Sequence, residues 1–566
     1  MESASHLPEQ SDGFPAESLV GLLLGILSIA ALLWYYAHND LLLYGDAVAH
    51  INIARRVIDN RSWLSSFFQL GTVWLPLQHV AMLPFVWNNR LWQSGIAGSI
   101  PSMVAYVLGG LGIFRLMTGV VPTPSAKSAD KGGAPISRLV PAIAATAIYA
   151  LNPNLLYLQT TAMNEPIYMA FFVWALVYLQ EALRANPERA VEPQNDIARE
   201  QALERCGICL AGGAWTRYDG WFAAAIILPV IVILAVRWLR NQPERSRRRA
   251  LTKSLIEILL LNALVPAFWL AYNHRVSGRA MDWANGPYSA KAIAERTTKP
   301  DAPPYPGRDH PITAAQYFLK AAQLNVGGES DARVVLVFAA CGSLILLRRF
   351  RQYWVWLLLW LPLIFYAFSI AYGSVPIFIP AWWPFSYYNV RYGLELLPVF
   401  AVFPVVFTTN LGLTRASKVI WWGVLILLIS ICYAGAWKNT PITLREARAN
   451  SRTRVAMEEG LADSMVRLPK GAPLLMYESS HVGALQRAGI PLKNVISESS
   501  HPDWEWALLD PAHKADYIIG CQGDPVWMAS REHRSELDEI VSISVPGQER
   551  CTIYRPSVRG ASPQTP

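Results

Sequence analysis

The 566-residue sequence predicts a polytopic α-helical membrane protein of about eleven transmembrane helices, followed by a C-terminal extracytoplasmic α/β domain. Three observations predict it. Apolar residues make up 53% of the chain and charged residues only 16%, where a soluble domain carries about 25% charged. Apolar stretches suited to crossing a hydrocarbon core, which needs about 20 helical residues, recur through the first three quarters of the chain. Basic residues gather in alternate loops. The mean hydropathy of +0.24 excludes a disordered chain, a collagen or a small disulfide scaffold. The net charge of +8 belongs to loops facing anionic lipid, so no nucleic-acid partner is implied.

From the N-terminus, residues 1–17 form a polar, acidic tail expected in the cytoplasm. They lack the basic n-region of a signal peptide, so the first apolar span is expected to be retained. The spans are Ser18–Tyr36, Ser94–Gly119, Leu139–Leu158, Pro166–Leu183, Leu203–Trp215, Trp221–Leu239, Leu255–Tyr272, Val334–Leu347, Tyr353–Tyr372, Tyr392–Thr408 and Val419–Trp437. Loops after the even-numbered spans hold Lys127 and Lys131; Arg184, Arg189 and Arg199; Arg240, Arg245 and Arg247–Arg249; Arg348, Arg349 and Arg351; Arg415 and Lys418. The positive-inside rule puts these in the cytoplasm of an inner (plasma) membrane protein, with the C-terminus outside. A Gly- and Pro-containing inner loop covers 122–135. Large outer loops cover 37–93, with Trp63 in an amphipathic surface segment, and 273–331, where Pro300, Pro303, Pro304 and Pro306 cluster. The membrane domain is thus 18–437. Residues 438–566 read as a soluble α/β domain, with strands at Leu474–Tyr477, Asp516–Cys521 and Glu539–Val545 and helices at Val482–Ala488, Trp504–Leu509 and Pro525–Leu537. The tryptophans at 354, 356, 360, 382, 383, 421 and 422 read mostly as aromatic belt.

The spans themselves read as almost free of charge, and the chemistry-bearing residues lie at their outer ends. In Tyr44-Gly45-Asp46-Ala47-Val48-Ala49-His50, a helix starting near Ala47 puts Asp46 and His50 on one face. That pair can hold a divalent metal or deprotonate an acceptor, and Asp46 can equally be a helix N-cap. Asn164-Glu165-Pro166 places a carboxylate at a helix start, as a site or as a cap. In Trp215-Thr216-Arg217-Tyr218-Asp219-Gly220-Trp221, Arg217 can clamp a phosphate that Asp219 orients, or the two can be an interfacial ion pair. Arg391-Tyr392, entering span ten, offers a second phosphate ligand or a snorkelling arginine. Two to three carboxylates and two arginines on one rim suit a reaction on a lipid-linked phosphate. Cys206 and Cys209 have C-x-x-C spacing but sit in an apolar span, which favours packing over metal or redox chemistry. Cys521 and Cys551 both lie in the outer domain and can pair.

These motifs, in this order and topology, resemble the GT-C superfamily of integral-membrane glycosyltransferases over roughly Ser18–Trp437. The branch is the bacterial one near protein O-mannosyltransferases and lipid A aminoarabinose transferases. The resemblance implies a GT-C-like catalytic domain that takes a sugar from a polyprenyl-phosphate carrier, inverts at the anomeric carbon and glycosylates a hydroxyl of a lipid, glycan or protein acceptor. It implies that Asp46 is the general base, that Glu165 lies near the acceptor or a metal, and that Arg217 and Arg391 face the carrier phosphate. His50, Asp219 and Tyr392 complete the expected substrate site. Any divalent cation would sit among Asp46, His50 and Glu165. Ala47 stands where many relatives have Glu, and Trp382-Trp383 is followed by Pro384-Phe385 rather than Asp-Tyr-Gly. Rival readings are a flippase for lipid-linked saccharides, which would carry inverted repeats and mid-membrane charge, and an O-antigen polymerase or ligase, for which His274-Arg275 would be the outer-loop pair.

Overall fold

The computed structural model describes residues 16–60, 66–119, 136–184, 193–297, 301–349, 351–411 and 414–557. Trp63, Lys127, Lys131, Arg189, Pro300, the 122–135 loop and most of the N-terminal tail lie outside them. Among the described residues, nine helical stretches are long and apolar enough to cross a membrane. They are Ala16–Ala37, Ile96–Thr118, Glu165–Leu183, Tyr218–Asn241, Arg245–Ser277, Glu329–Arg349, Gln352–Tyr372, Val390–Leu411 and the stretch beginning at Ala416. They overlie nine of the eleven expected spans.

The other two expected spans take different forms. Leu139–Leu158 is not one helix: Ile136–Ala150 ends and Pro153–Leu158 restarts. Asn152 causes the break. Its side chain accepts the Asn154 and Leu155 amides at 3.0 Å each, while Pro153 takes the first helical position. Leu203–Trp215 is the second half of a 22-residue helix, Pro193–Ala214. Glu200, just before the expected span, and Glu204, inside it, both accept from the Ser254 hydroxyl, at 2.5 and 2.7 Å.

Burial orders the bundle. The Val390–Leu411 and Glu165–Leu183 stretches are its centre, and the Ala16–Ala37 helix lies at its edge, presenting leucines outward. Trp356 is fully buried in this core and so does not belong to an aromatic belt. Residues 273–331 are also less of a loop than expected. Pro311 starts a helix to Val326 whose Phe318, Ala321 and Ala322 are wholly buried.

A turn at residues 439–441 joins the Arg415–Lys438 helix to a polar helix, Ile442–Met465, which leads into the α/β part. Its strands are β1 (Leu474–Met476), β2 (Val495–Ile496), β3 (Tyr517–Cys521), β4 (Leu537–Ile543) and β5 (Cys551–Pro556). They form one sheet of order β2-β1-β3-β5-β4, with β1 parallel to β2 and β3, and β5 antiparallel to β3 and β4. The three expected strands are present. The expected helix at Pro525–Leu537 stops at Glu532, and Leu537 opens β4. Cys521 and Cys551 oppose each other in the β3–β5 register and are joined as a disulfide.

The sheet is anchored to the first loop. Asn52, on the Gly45–Ile58 helix, donates to Gln486 Oε1 at 2.8 Å and accepts the Trp92 indole N–H at 3.0 Å; Gln486 in turn donates to the Trp92 carbonyl at 2.7 Å. All three side chains are buried, so each polar group is satisfied inside the interface.

Candidate active site

The candidate residues sit at helix starts on one end of the bundle. Asp46 is in the first turn of Gly45–Ile58, Glu165 in that of Glu165–Arg184 and Asp219 in that of Tyr218–Asn241. Carboxylates are favoured there by the unpaired N–H groups and the positive end of the helix dipole. Arg217 is the N-cap residue of its helix. Arg391 and Glu395 lie on a 3-10 segment, Val390–Leu396, that leads into Leu397–Leu411. Gly393 lets that segment lie flat, because a Cβ there would stand 2.5 Å from backbone atoms of Ala321 and Ala322.

These helix starts meet around the two arginines. Arg391 Nη2 donates to Asp46 at 2.5 Å and Nε to Glu165 at 3.2 Å, with Nη1 3.8 Å from Glu446. Arg217 Nε donates to Asp219 at 3.0 Å, Nη1 to Asn164 at 2.5 Å and Nη2 to Tyr366 at 2.8 Å. Its guanidinium also lies 3.3 Å from Glu165 and 3.2 Å from Glu395. Glu165 Oε1 thus bridges both arginines. The Tyr392 ring stands between them, with Arg217 and Arg391 carbons 5.0 and 4.8 Å from its centre. Arg391 is buried and does not snorkel. Asp46 does not cap its helix: the N-cap residue is Tyr44, which makes no side-chain cap bond. Arg217 and Asp219 do form the ion pair, as part of the larger cluster.

Exposure separates the carboxylates. Glu165, Glu395 and Glu446 are essentially inaccessible, whereas the Asp46 side chain is 41% exposed. It opens into a cavity of about 820 Å³, lined also by His50, Trp74, Arg217, Lys291, Arg391 and Tyr392. Lys291 is exposed and has no carboxylate partner among the described residues.

His50 shares the cavity but turns away from Asp46. Its Nδ1 lies 2.8 Å from Nε2 of His79, one ring donating to the other, and its face packs on Trp74. Burial, and then the positive charge of Arg391 and Arg217, push its pKa down to about 3, so it is neutral at pH 7. Asp46, His50 and Glu165 do not gather as a cation site. Among the described residues, triads of metal-ligating atoms within 4.8 Å of one another occur only at His481/Cys521/Cys551 and Asp510/His513/Glu536. The ligating atoms of the expected divalent-cation set thus do not all lie within 4.8 Å of one another.

Other expectations are displaced too. His274 and Arg275 end the Arg245–Ser277 helix, where Arg275 stacks on Phe68, and neither lines the cavity. Cys206 and Cys209 are free thiols in their helix. Sequence reasoning gives no role to Glu395, although it ends the segment Tyr387–Glu395 that carries Arg391, and none to Glu446 or Tyr366. Glu395 lies inside expected span ten, and an ionisable residue at membrane depth is itself a signal of a site. Glu446 was assigned to the soluble tail. It accepts the Val390 and Arg391 amides at 3.0 and 3.2 Å and the Tyr44 hydroxyl at 3.1 Å.

The chain is thus a helical bundle of candidate membrane spans followed by a small mixed sheet. No protein-family model matches the chain, and no curated protein matches it. Among solved structures it is similar to ArnT from Cupriavidus metallidurans bound to undecaprenyl phosphate, with a TM-score of 0.53 and 12% identity over 97% of this chain and 99% of that one. The same protein in the apo state gives a TM-score of 0.53 and 11% identity over 95% and 98%. At such identity the likeness is one of fold.

Proposed function

We propose that the protein is an inverting glycosyltransferase of the inner membrane that moves a sugar from a polyprenyl-phosphate carrier to an acceptor hydroxyl on the outer side. The observation that carries this reading is the exposed Asp46 carboxylate, held at the cavity wall by a buried arginine whose other partners are sealed from solvent. The undecaprenyl phosphate held by the similarly folded ArnT supports the carrier class. The basic loops between spans support the orientation, with 438–566 outside.

In the proposed reaction the carrier phosphate approaches Arg391 on its cavity side and competes with Asp46 for Nη2. Asp46, released from that bond, accepts the proton of the acceptor hydroxyl. The hydroxyl oxygen forms a bond to the anomeric carbon as the bond from that carbon to the phosphate oxygen breaks, with inversion. The carrier leaves as a phosphate bearing one further negative charge. That charge needs an electrostatic partner more than a proton, and Arg391 and Lys291 supply it. Arg217 has every nitrogen committed. It orients Glu165, Asp219 and Glu395 and sets the floor of the site.

The test uses reconstituted protein, radiolabelled polyprenyl-phosphate sugars and a mixture of envelope acceptors. Asp46→Asn is expected to lower transfer at least a hundredfold while the protein still folds, within the range ascribed to general-base catalysis, about 10²–10⁴-fold. Unchanged transfer by the folded variant would remove Asp46 as the base.

A further inference from the structure

An open, basic groove lies at the far end of the bundle from Asp46. The Tyr218–Asn241 helix has Tyr218 in the active-site cavity wall and Arg240 in its last turn. Its 24 residues separate those ends by about 36 Å. The Arg245–Ser277 helix then turns back along it, and the two flank an open groove of about 850 Å³. Arg240, Arg245, Arg248 and Arg249 line this space. All four are exposed, and none has a carboxylate partner among the described residues. The neighbouring Lys253 is different, lying 3.6 Å from Glu257.

The arginines do not stand on a uniformly polar surface. Positions 245, 249, 252 and 256 share one helix face, and the face continues as Ile256, Leu260 and Leu264, which are 51%, 56% and 61% exposed. Val236 and Leu239 complete the apolar wall. A planar guanidinium pairs with phosphate through two parallel N–H bonds, so four unpaired forks match two phosphates. An apolar stripe running directly from those forks suits an acyl chain. A free inorganic anion would have no use for it.

We propose that this groove binds an anionic phospholipid whose headgroup carries two phosphates, held by Arg240, Arg245, Arg248 and Arg249, with its chains lying along Ile256, Leu260 and Leu264. This site is independent of the transfer reaction. Like-charge repulsion among the four arginines is relieved on binding, so the lipid stabilises the folded chain.

The test is the melting temperature of the full chain in neutral detergent, with cardiolipin, phosphatidylcholine or inorganic phosphate added, together with native mass spectra that count retained lipid. Cardiolipin is expected to raise the wild-type melting temperature and to be retained as one copy per chain. Phosphatidylcholine and inorganic phosphate are expected to do neither. The triple variant R245Q/R248Q/R249Q should lose the cardiolipin effect, and Arg240→Gln alone should weaken it if the triple variant does not fold. Equal cardiolipin retention by wild type and folded variants would overturn the proposal, as would the absence of any cardiolipin effect. A rise with inorganic phosphate equal to that with cardiolipin would make the groove a simple anion site and would also overturn it.

Discussion

Arg391 gathers Asp46, Glu165 and Glu446, which stand 345, 226 and 55 residues from it in the chain. Each of Asp46, Glu165, Arg217, Asp219 and Arg391 is legible in the sequence, because a charge at the end of an apolar span is costly enough to need a reason. Their pairing is not legible. Sequence spacing suggested Asp46 with His50, four residues apart, but the fold gives Asp46 to Arg391 and His50 to His79. Glu478 shows a similar tertiary effect outside the membrane helices. It is buried at the start of the Glu478–Ala488 helix, ion-paired with Arg56 of the first loop, and burial lifts its pKa to about 7 despite that partner. The unfolded value is about 4.3, so the unfolded chain ionises first as pH rises. The stability carried by the protonated carboxyl is therefore complete below about pH 4.3 and is lost as pH climbs to about 7. The wild-type melting temperature in detergent is expected to fall more between pH 5 and pH 7.5 than that of Glu478→Gln. Parallel curves for the two proteins would show that Glu478 does not govern this window.

At the scale of elements, hydropathy was enough to locate nine of the spans, because length and apolarity are properties of each segment alone. It failed where a local feature intervened. Asn152-Pro153 restarts a helix inside one expected span, and in another Ser254 accommodates one glutamate of the span and one of the helix turn that precedes it. The 3-10 segment Val390–Leu396 was invisible for a different reason. It is flattened by its neighbour, the Pro311–Val326 helix, through contact at Gly393. Gly393→Ala would push a methyl into the backbone at Ala321 and Ala322, which has no side chain to move aside. We expect this substitution to destabilise the protein by about 1–3 kcal/mol and to abolish transfer by displacing Arg391 and Glu395. Gly423→Ala, with nothing within 4 Å of the added carbon, should melt at or slightly above wild type. Melting curves and the transfer assay on both variants check this, and equal behaviour would show that close approach at Gly393 is unimportant.

At the scale of the whole molecule, the sheet domain and the membrane bundle form one continuous core, and Glu446 carries the first residues after the last span into the candidate site. The Cys521–Cys551 disulfide ties β3 to β5 across 30 residues, within the domain that grips the first loop through Gln486. Cys551→Ser is expected to lower the stability of that domain by about 2–4 kcal/mol, seen as faster proteolysis of the C-terminal part in detergent. Proteolysis at the wild-type rate would assign the stability to packing alone. The sequence by itself determined the membrane class, most of the spans, the alternation of basic loops, the α/β tail and five of the charged residues of the site. Those are readable because hydrophobic length, loop charge and strand periodicity act over a few neighbouring residues. Only the tertiary structure decided which carboxylates face each guanidinium, that His50 stands apart from Asp46, that Glu395 and Glu446 belong to the cluster, and that Asp46 alone among the partners of Arg391 opens substantially to the cavity. Burial and ion pairing depend on distances between segments hundreds of residues apart, and those distances exist only once the helix starts have been packed together.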